Sequence, residues 1–582
     1  MSFKNAYRTH RCAEPREDNI GSYIKAAGWI ENIRDHGGVI FLDLRDDSGI
    51  LQAVIENEEL IERVKKETVV SLSGKLRKRS EETKNPKIAT GMVELMVEEI
   101  SILCDCINEL PFEVRSSHTV REDVRLKYRF LDLRNPKVKD RIKLRSKMSS
   151  FLRRLMEDMD FLDIQTPILS ASSPEGARDY LTPSRKHPGK FYALPQAPQL
   201  FKQLLMVSGF DRYYQIAPCF RDEDARADRS PGEFYQLDFE AAFATQDDIL
   251  NVAQELVFKT FSKFSDSPLS EKPFERISYH DAMLKYGTDK PDLRNPLEII
   301  DVSDLFIETE FKPFRGKCVR ALPVPGAASQ PRSFFEKALD FATEIGMKGL
   351  GYFKVAEGGQ LQGPIDKFLT DEQRQSLLER ANLKTGDLLY FIADSEKLAP
   401  EFAGQIRTEI AKRLNLIDEN IFKFCFIVDV PMYEKDKDTG KPSFLHNPFS
   451  APKGGEQALS SNDPFSIIAW QYDLVCNGVE LGSGAVRNHN LSSLYKAFEI
   501  AGYTKKEVDE NFSALCRGLS YGAPPHAGMA LGIERMAILL TGADSIREVT
   551  AFPMNANAQD LLTGAPSKVN ENQLREVHIK LR

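Results

Sequence analysis

Residues 220–240 read FRDEDARADRSPGEFYQLDFE, and the run before them, residues 212–220, reads RYYQIAPCF. An aromatic-rich apolar run, a densely charged loop and a second run, FYQLDFEAAF (234–243), have the pattern of a β-hairpin. Setting so many opposite charges beside apolar strands costs desolvation unless they pair with one another or hold a charged ligand. A surface ion-pair network and a ligand site both satisfy the charge pattern taken alone. The two runs point to an antiparallel sheet rather than to alternating β-α units. The chain also carries no Gly-x-Gly-x-x-Gly fingerprint and no Gly-x-x-x-x-Gly-Lys-Ser/Thr loop, so the common parallel-sheet nucleotide folds lose weight.

Working outward, residues 24–56 alternate short β-rich runs with turn clusters, and VVSLSGKLRKR adds a further strand. The pattern predicts a small all-β barrel over residues 1–112, for which an oligonucleotide-binding barrel is one candidate. From Arg141 the spacing becomes helical, with Ile142, Leu144, Met148, Leu152, Leu155 and Met156 on one face. The expected organisation is a barrel domain at 1–112, a basic hinge at 113–140, a mixed α+β domain at 141–290, and its continuation at 416–560. A separate α+β domain is inserted at 291–415, and 561–582 forms a C-terminal extension.

With 582 residues, 42% hydrophobic and 28% charged, the chain is too long for one core and has ordinary globular composition. No apolar run is long enough for a membrane span, and the first residues lack the apolar stretch of a secretory signal, so a cytoplasmic protein is expected. Eight scattered cysteines, with Cys104 and Cys106 the closest pair, read as reduced buried thiols rather than a zinc site. A net charge of −8 argues against nonspecific coating of nucleic acid. Between Glu113 and Lys147, however, twelve Lys and Arg face five acids, which alone would read as a solvated helix face.

The hairpin segment resembles motif 2 of the class II aminoacyl-tRNA synthetases, in the form carried by bacterial-type aspartyl members. MDFLDIQTPIL (159–169) resembles motif 1 and GMALGIERMAILL (528–540) resembles motif 3, while PEGARDY (174–180), FYALPQAPQLFKQLLM (191–206) and NGVELGSGAVR (477–487) are similar to segments of aspartyl members. The resemblance covers essentially the whole chain. It implies an OB-fold anticodon-binding barrel, a catalytic domain on an antiparallel sheet, an inserted bacterial-type domain, and a homodimer with Pro167 at its interface. The implied reaction is ATP-dependent formation of aspartyl-adenylate followed by transfer to tRNA.

The resemblance also implies residue roles. Arg221 would contact the α-phosphate and the aspartate α-carboxylate, and Arg535 the γ-phosphate of a bent ATP, with Glu480 completing the catalytic set. Asp222, Glu223, Ser230, Gln236, Gly532, Ile533 and Glu534 match further ATP-contacting positions, and Asp473 and Glu480 match Mg²⁺ ligands. Around aspartate, Lys202 and Arg487 would clamp the side-chain carboxylate, Glu175, Gln199 and Asp238 would accept from the ammonium group, and His446 would act as a mobile lid. The chemistry is consistent with such a set, because joining two anions requires preorganised cations, and a guanidinium fork suits phosphate and carboxylate. In the barrel, Arg34, His36, Phe41, Gln52 and Glu94 match anticodon-reading positions, where an aromatic ring stacks and polar groups read base edges. Without the resemblance Phe41 would read as a core residue.

Two positions depart from the pattern: Ser230-Pro231-Gly232-Glu233 contains one residue more than is usual, and Asn447 follows His446 where a second histidine is common. Arg34-Asp35-His36-Gly37-Gly38 resembles the loop of relatives that accept both tRNA(Asp) and tRNA(Asn), which makes His36 and Thr83 the expected discriminating positions and a tRNA-dependent amidotransferase an expected partner. Rival readings are a strictly tRNA(Asp)-specific enzyme, a lysyl or asparaginyl enzyme, and an RNA-binding paralogue without activity. The last would be expected to lose Arg221, Glu480 or Arg535, all of which are present.

Overall fold

The computed structural model describes residues 4–172, 176–227 and 232–581. It separates into two compact units, Met1–Glu113 and Val114–Arg582.

The first unit is a closed five-stranded barrel in which Tyr23–Asp35, Ile40–Arg45, Ile50–Ile55, Val93–Cys104 and Val69–Lys78 follow one another around the wall. Alternation turns Ile24, Ala26 and Ile30 of the first strand, and Leu42 and Leu44 of the second, into its core. Each such Ile or Leu side chain, fully buried, contributes about 1.5–3 kcal/mol. The wall closes tightly at Gly74, where a Cβ would stand 1.8 Å from the carbonyl oxygen of Met96. Buried Arg45 bridges Glu31 at 3.1 Å and Glu67 at 2.8 Å, so this charge is not left bare in the barrel. Cys104, expected to be buried, is exposed near the end of its strand.

The second unit is organised by an eight-stranded sheet. Its order is Glu275–Ser278, Phe424–Val428, Gln471–Cys476, Val479–Val486, His526–Gly532, Gly232–Ala242, Arg212–Arg221, Leu162–Asp163. The six inner strands pair antiparallel, as expected, whereas both edge strands add parallel. The helices Pro136–Asp158, Gln246–Phe264 and Ile533–Thr541 share one core with the sheet, built around Leu152, Phe239, Phe261 and Met529. The first helix begins at Pro136, five residues before the expected Arg141, because the Asn135 side chain accepts from Lys137 N at 3.0 Å and proline fits the first turn.

Between two parallel neighbours of this sheet, Glu275–Ser278 and Phe424–Val428, the chain builds a five-stranded sheet of its own. Its order is Ile300–Asp301, Cys318–Val324, Leu388–Asp394, Gly351–Val355, Leu361–Gln362. Strand alternation sends Leu388, Tyr390 and Ile392 into one core with the helices Arg332–Glu344 and Leu398–Arg413. Leu389 and Phe391 enter another, with Leu377 of the helix Asp371–Arg380.

Four cations of the basic stretch are neutralised within the fold. Arg125 and Arg129 pair with buried Asp132 at 3.2 and 2.5 Å, and Arg141 and Arg145 pair with Glu548 and Glu534. Buried Arg129 also donates to the carbonyl oxygens of Arg547, Thr550 and Ala551, tying down the segment after the last long helix. These cations serve the fold rather than a solvated face. Among the described residues no helix is long and apolar enough to cross a membrane.

Candidate active site

A cavity of about 320 Å³ is lined by Gln199, Lys202, Arg221, Glu223, Gln236, Asp238, His446, Glu480, Arg487, Gly532, Glu534 and Arg535, together with Phe234 and Asn447. Most of the residues singled out in the sequence thus meet at one place. Glu175 and Ser230 lie outside the described residues. Asp222 sits at the strand end, its backbone N–H donating to Arg178 O at 3.0 Å. The Ile533 side chain points into the hydrophobic core. Glu534 is taken up internally, pairing with Arg145 and accepting from Tyr235 N at 3.1 Å.

At one end of the cavity is a buried quartet of charges. Asp238 and Glu240 are two apart on Gly232–Ala242 and so share a face. Lys202, on the helix Gln199–Val207, stands 2.7 Å from Asp238 Oδ2 and 3.4 Å from Glu240 Oε2. Arg487, just past the strand Val479–Val486, donates from Nε to Glu240 Oε1 at 2.7 Å and from Nη2 to Oε2 at 3.0 Å. Two cations and two anions cancel, which lets all four be buried. Burial alone would raise the Glu240 carboxyl, but Arg487 and Lys202 outweigh it and hold it below the ordinary range. For Asp238 burial wins over Lys202 and its pKa is raised. Asp238 Oδ1 has no hydrogen-bond partner among the described residues, a buried acceptor in want of a donor. Glu240 fits because Gly528 faces it: a Cβ there would lie 2.1 Å from Glu240 Oε2.

The other end carries two guanidinium groups beside carboxylates. The Arg221 guanidinium lies 5.0 Å from the centre of the Phe234 ring across the hairpin and donates to Gln196 O at 3.4 Å. Arg535, in the first turn of Ile533–Thr541, donates to the carbonyl of Glu480 at 2.7 Å and lies 3.5 Å from its carboxylate. On the strand next to Glu480, Asp473 is buried; desolvation first, then the charge of Glu480, raises its pKa. Asp473 Oδ1 also has no hydrogen-bond partner among the described residues. Ligand atoms of Asp289, His446 and Asp473 lie within 4.8 Å of one another. An orphaned buried carboxylate oxygen beside a second carboxylate fits a hard divalent cation.

On the barrel, Arg34 grips Asp43 with two bonds of 2.8 Å, Gln52 donates to Glu94 at 2.8 Å, and Arg77 donates to the other Glu94 oxygen at 2.7 Å. These pairs form a polar band across neighbouring strands. Half-buried Phe41 stands beside them, facing out of the barrel, with exposed His36 at its edge, ring centres 5.5 Å apart. Alternation with buried Ile40 and Leu42 is what turns Phe41 away from the core. Thr83 lies in the loop after Val69–Lys78, its hydroxyl 2.9 Å from that of Ser80; among the described residues no hydrogen bond or ring contact joins it to His36.

Residues 121–556 match the family "tRNA synthetases class II (D, K and N)", and residues 24–103 match the "OB-fold nucleic acid binding domain". The chain belongs to the class II tRNA synthetases. It is 52% identical to the Aspartate--tRNA(Asp/Asn) ligase of Ehrlichia canis (strain Jake), over 99% of each chain. It is 51% identical to the Aspartate--tRNA ligase of Streptomyces avermitilis, again over 99% of each. The asparaginyl-tRNA synthetase of Pyrococcus horikoshii shares the fold at TM-score 0.57 and 19% identity, over 94% of this chain and 97% of that one.

In this synthetase the sequence reading passed over a line of amides joined to the quartet end of the cavity. Asn447 donates to Gln199 Oε1 at 3.2 Å, Gln199 to Gln203 Oε1 at 3.0 Å, and the Gln203 amide meets His526 Nε2 at 3.2 Å. His526 Nδ1 lies 2.8 Å from Pro524 O, which can only accept, so Nδ1 carries the proton and Nε2 accepts from Gln203. Burial lowers the His526 pKa and keeps the ring neutral. The signal was present: Gln199, Lys202, Gln203 and Met206 occupy the i, i+3, i+4, i+7 positions that a core-facing stripe would fill with apolar residues, yet three are polar. Asn447, noted as a departure, is satisfied on both sides, since its Oδ1 accepts from Phe449 N at 2.8 Å.

Proposed function

We propose that this synthetase activates L-aspartate with ATP, releasing pyrophosphate, and transfers the aspartyl group to the 3′ end of tRNA(Asp) and tRNA(Asn). The observation that carries the reading is the buried Lys202–Asp238–Glu240–Arg487 quartet opening onto the same cavity as Arg221, Glu480 and Arg535. In the proposed mechanism Lys202 and the edge of Arg487 not held by Glu240 bind the aspartate side-chain carboxylate. Asp238 Oδ1, Gln199 and Glu175 accept from its ammonium group. Arg221 holds the α-carboxylate against the α-phosphate, where one carboxylate oxygen bonds to phosphorus as the bond to the bridging oxygen breaks. Arg535 receives the terminal phosphate, neutralising charge on the departing pyrophosphate. Asp473 and Glu480 would hold Mg²⁺, which supplies further neutralisation of the phosphates when bound. The barrel face around His36 and Phe41 would take unstacked anticodon bases. A homodimer, a cytoplasmic location and a tRNA-dependent amidotransferase that converts aspartyl-tRNA(Asn) belong to the same proposal.

A second reading, charging of tRNA(Asp) alone, draws on the Streptomyces relative, whose name carries no mention of tRNA(Asn) at the same level of identity. His36 in the loop Arg34–Gly38 favours the first. Labelled aspartate, ATP and Mg²⁺ with each purified tRNA in parallel separate them. Charging of both supports the proposal, charging of tRNA(Asp) alone supports the second reading, and charging of neither removes both.

A further inference from the structure

Lys290 belongs to none of the motifs considered above. It lies on the loop that leads from the helix Tyr279–Lys285 into the inserted five-stranded domain, yet its ammonium group stands beside Glu480, which lines the cavity. Nζ is 2.6 Å from Asp289 Oδ2 and 3.4 Å from Glu480 Oε2, and Asp473 also acts on it electrostatically. Glu480 is thus flanked by two cations, Lys290 on Oε2 and Arg535 at 3.5 Å on Oε1.

The loop is held from the inserted domain. Buried Arg407, on the helix Leu398–Arg413, donates to the carbonyl oxygens of Asp292 at 3.2 Å, Asn295 at 2.8 Å and Leu297 at 2.5 Å, and the Asn295 amide returns a bond to the Arg407 carbonyl at 3.3 Å. A buried guanidinium spent on three carbonyls between Asp292 and Leu297 fixes the path of the backbone just after Lys290.

We infer that Lys290 is a resident counter-cation of the Asp473–Glu480 pair, positioned by the inserted domain through Arg407, which a divalent cation must displace from Glu480. The inference rests on the proposal that Asp473 and Glu480 hold that cation. An ammonium and a dication compete for one carboxylate, so the resident charge weakens metal binding to the nucleotide-free enzyme. ATP phosphates offer the released ammonium a new partner, which relieves the competition once nucleotide is present.

The test is titration of Mn²⁺ into the full-length enzyme, first without nucleotide and then with ATP against an enzyme-free Mn²⁺ and ATP blank, following the free-ion paramagnetic resonance signal, with melting temperatures checked for every variant. Lys290→Met should tighten Mn²⁺ binding about five- to tenfold, Lys290→Arg should stay within about twofold of wild type, and ATP should shrink the gap between Met variant and wild type. Unchanged or weaker Mn²⁺ binding by Lys290→Met, or a gap that ATP leaves untouched, overturns the inference. Asp473→Asn tells the two failures apart. If it binds Mn²⁺ as wild type does in the presence of ATP, the cation proposal itself falls and takes the inference with it. If it loses Mn²⁺ while Lys290→Met changes nothing, Lys290 alone is excluded.

Discussion

Arg487→Lys should cripple aspartate activation while keeping the charge. The Arg487 fork spends Nε and one Nη2 bond on Glu240, at 2.7 and 3.0 Å, and leaves the rest of its donors for the proposed substrate carboxylate. A lysine presents a single nitrogen on a shorter reach, and buried Glu240 claims it first, because that carboxylate loses most if left unpaired. The substrate then forfeits up to two charge-assisted bonds of about 1.5–3 kcal/mol each. A net loss of about 3–4 kcal/mol is about two to three orders of magnitude in kcat/KM. The assay is aspartate-dependent pyrophosphate exchange at saturating ATP and Mg²⁺, with KM for ATP as the internal control. KM for ATP should move by less than about twofold, since Arg221 and Arg535 are untouched. A kcat/KM for aspartate within about threefold of wild type would refute the assignment of Arg487 to the carboxylate.

His36→Leu should lower charging of tRNA(Asn) more than that of tRNA(Asp) and leave pyrophosphate exchange unchanged; equal losses on the two tRNAs would sink the discriminating role. Gly528→Ala places a Cβ 2.1 Å from Glu240 Oε2 and 2.2 Å from the Phe239 carbonyl oxygen, so both must move. Overpacking of this kind costs about 1–3 kcal/mol and would displace Arg487 with Glu240, so both the melting temperature and aspartate exchange should fall; a variant indistinguishable from wild type in both counts against it. The His526 pKa is lowered by burial, so its contribution to stability is complete above the ordinary histidine value of 6.5 and is lost as pH falls through the lowered folded-state value. His526→Asn can keep the donor to Pro524 without that titration, and its melting temperature should fall less than that of wild type between about pH 7.5 and about pH 5.5; parallel falls would show that His526 carries no such linkage.

The parts of this molecule that were legible in the sequence are those written locally. Period-two runs give the barrel strands and the hairpin strands, and a helix start such as Asn135–Pro136 is signalled by cap chemistry, although apolar spacing alone placed that start too late. Pairing across long separations is not written locally. Glu240 stood in the segment from which the reading began, yet its partner Arg487 is 247 residues away, and nothing in the spacing announces that the proposed substrate clamp is already held by an acid. Likewise Arg145 looks like free positive charge until the fold brings Glu534 to it. Glu534, read as a nucleotide contact, lines the cavity but also pairs with Arg145 and accepts from a backbone amide, which its place in the sequence does not announce. The two parallel edge strands escape notice for the same reason, since a strand's direction is set by where the connecting segments return it.

Four cations of the site lie on its own carboxylates: Lys202 on Asp238, Arg487 on Glu240, Arg535 on Glu480, and Lys290 on Asp289 and Glu480. On the proposed reading a substrate meets cations that already hold an acid, so their burial does not depend on it. This changes what selectivity can be built from. Asparagine in place of aspartate does not strand a bare guanidinium, because Glu240 still holds Arg487; it strands only the N–H groups left on the free edge. Rejection then depends on how rigidly that edge is aimed, and the aim comes from the two short bonds to Glu240 and from the space that Gly528 leaves for its carboxylate. If Arg487 takes the carboxylate as proposed, Glu240, which is not itself proposed to touch the substrate, would set how well the site separates a carboxylate from an amide.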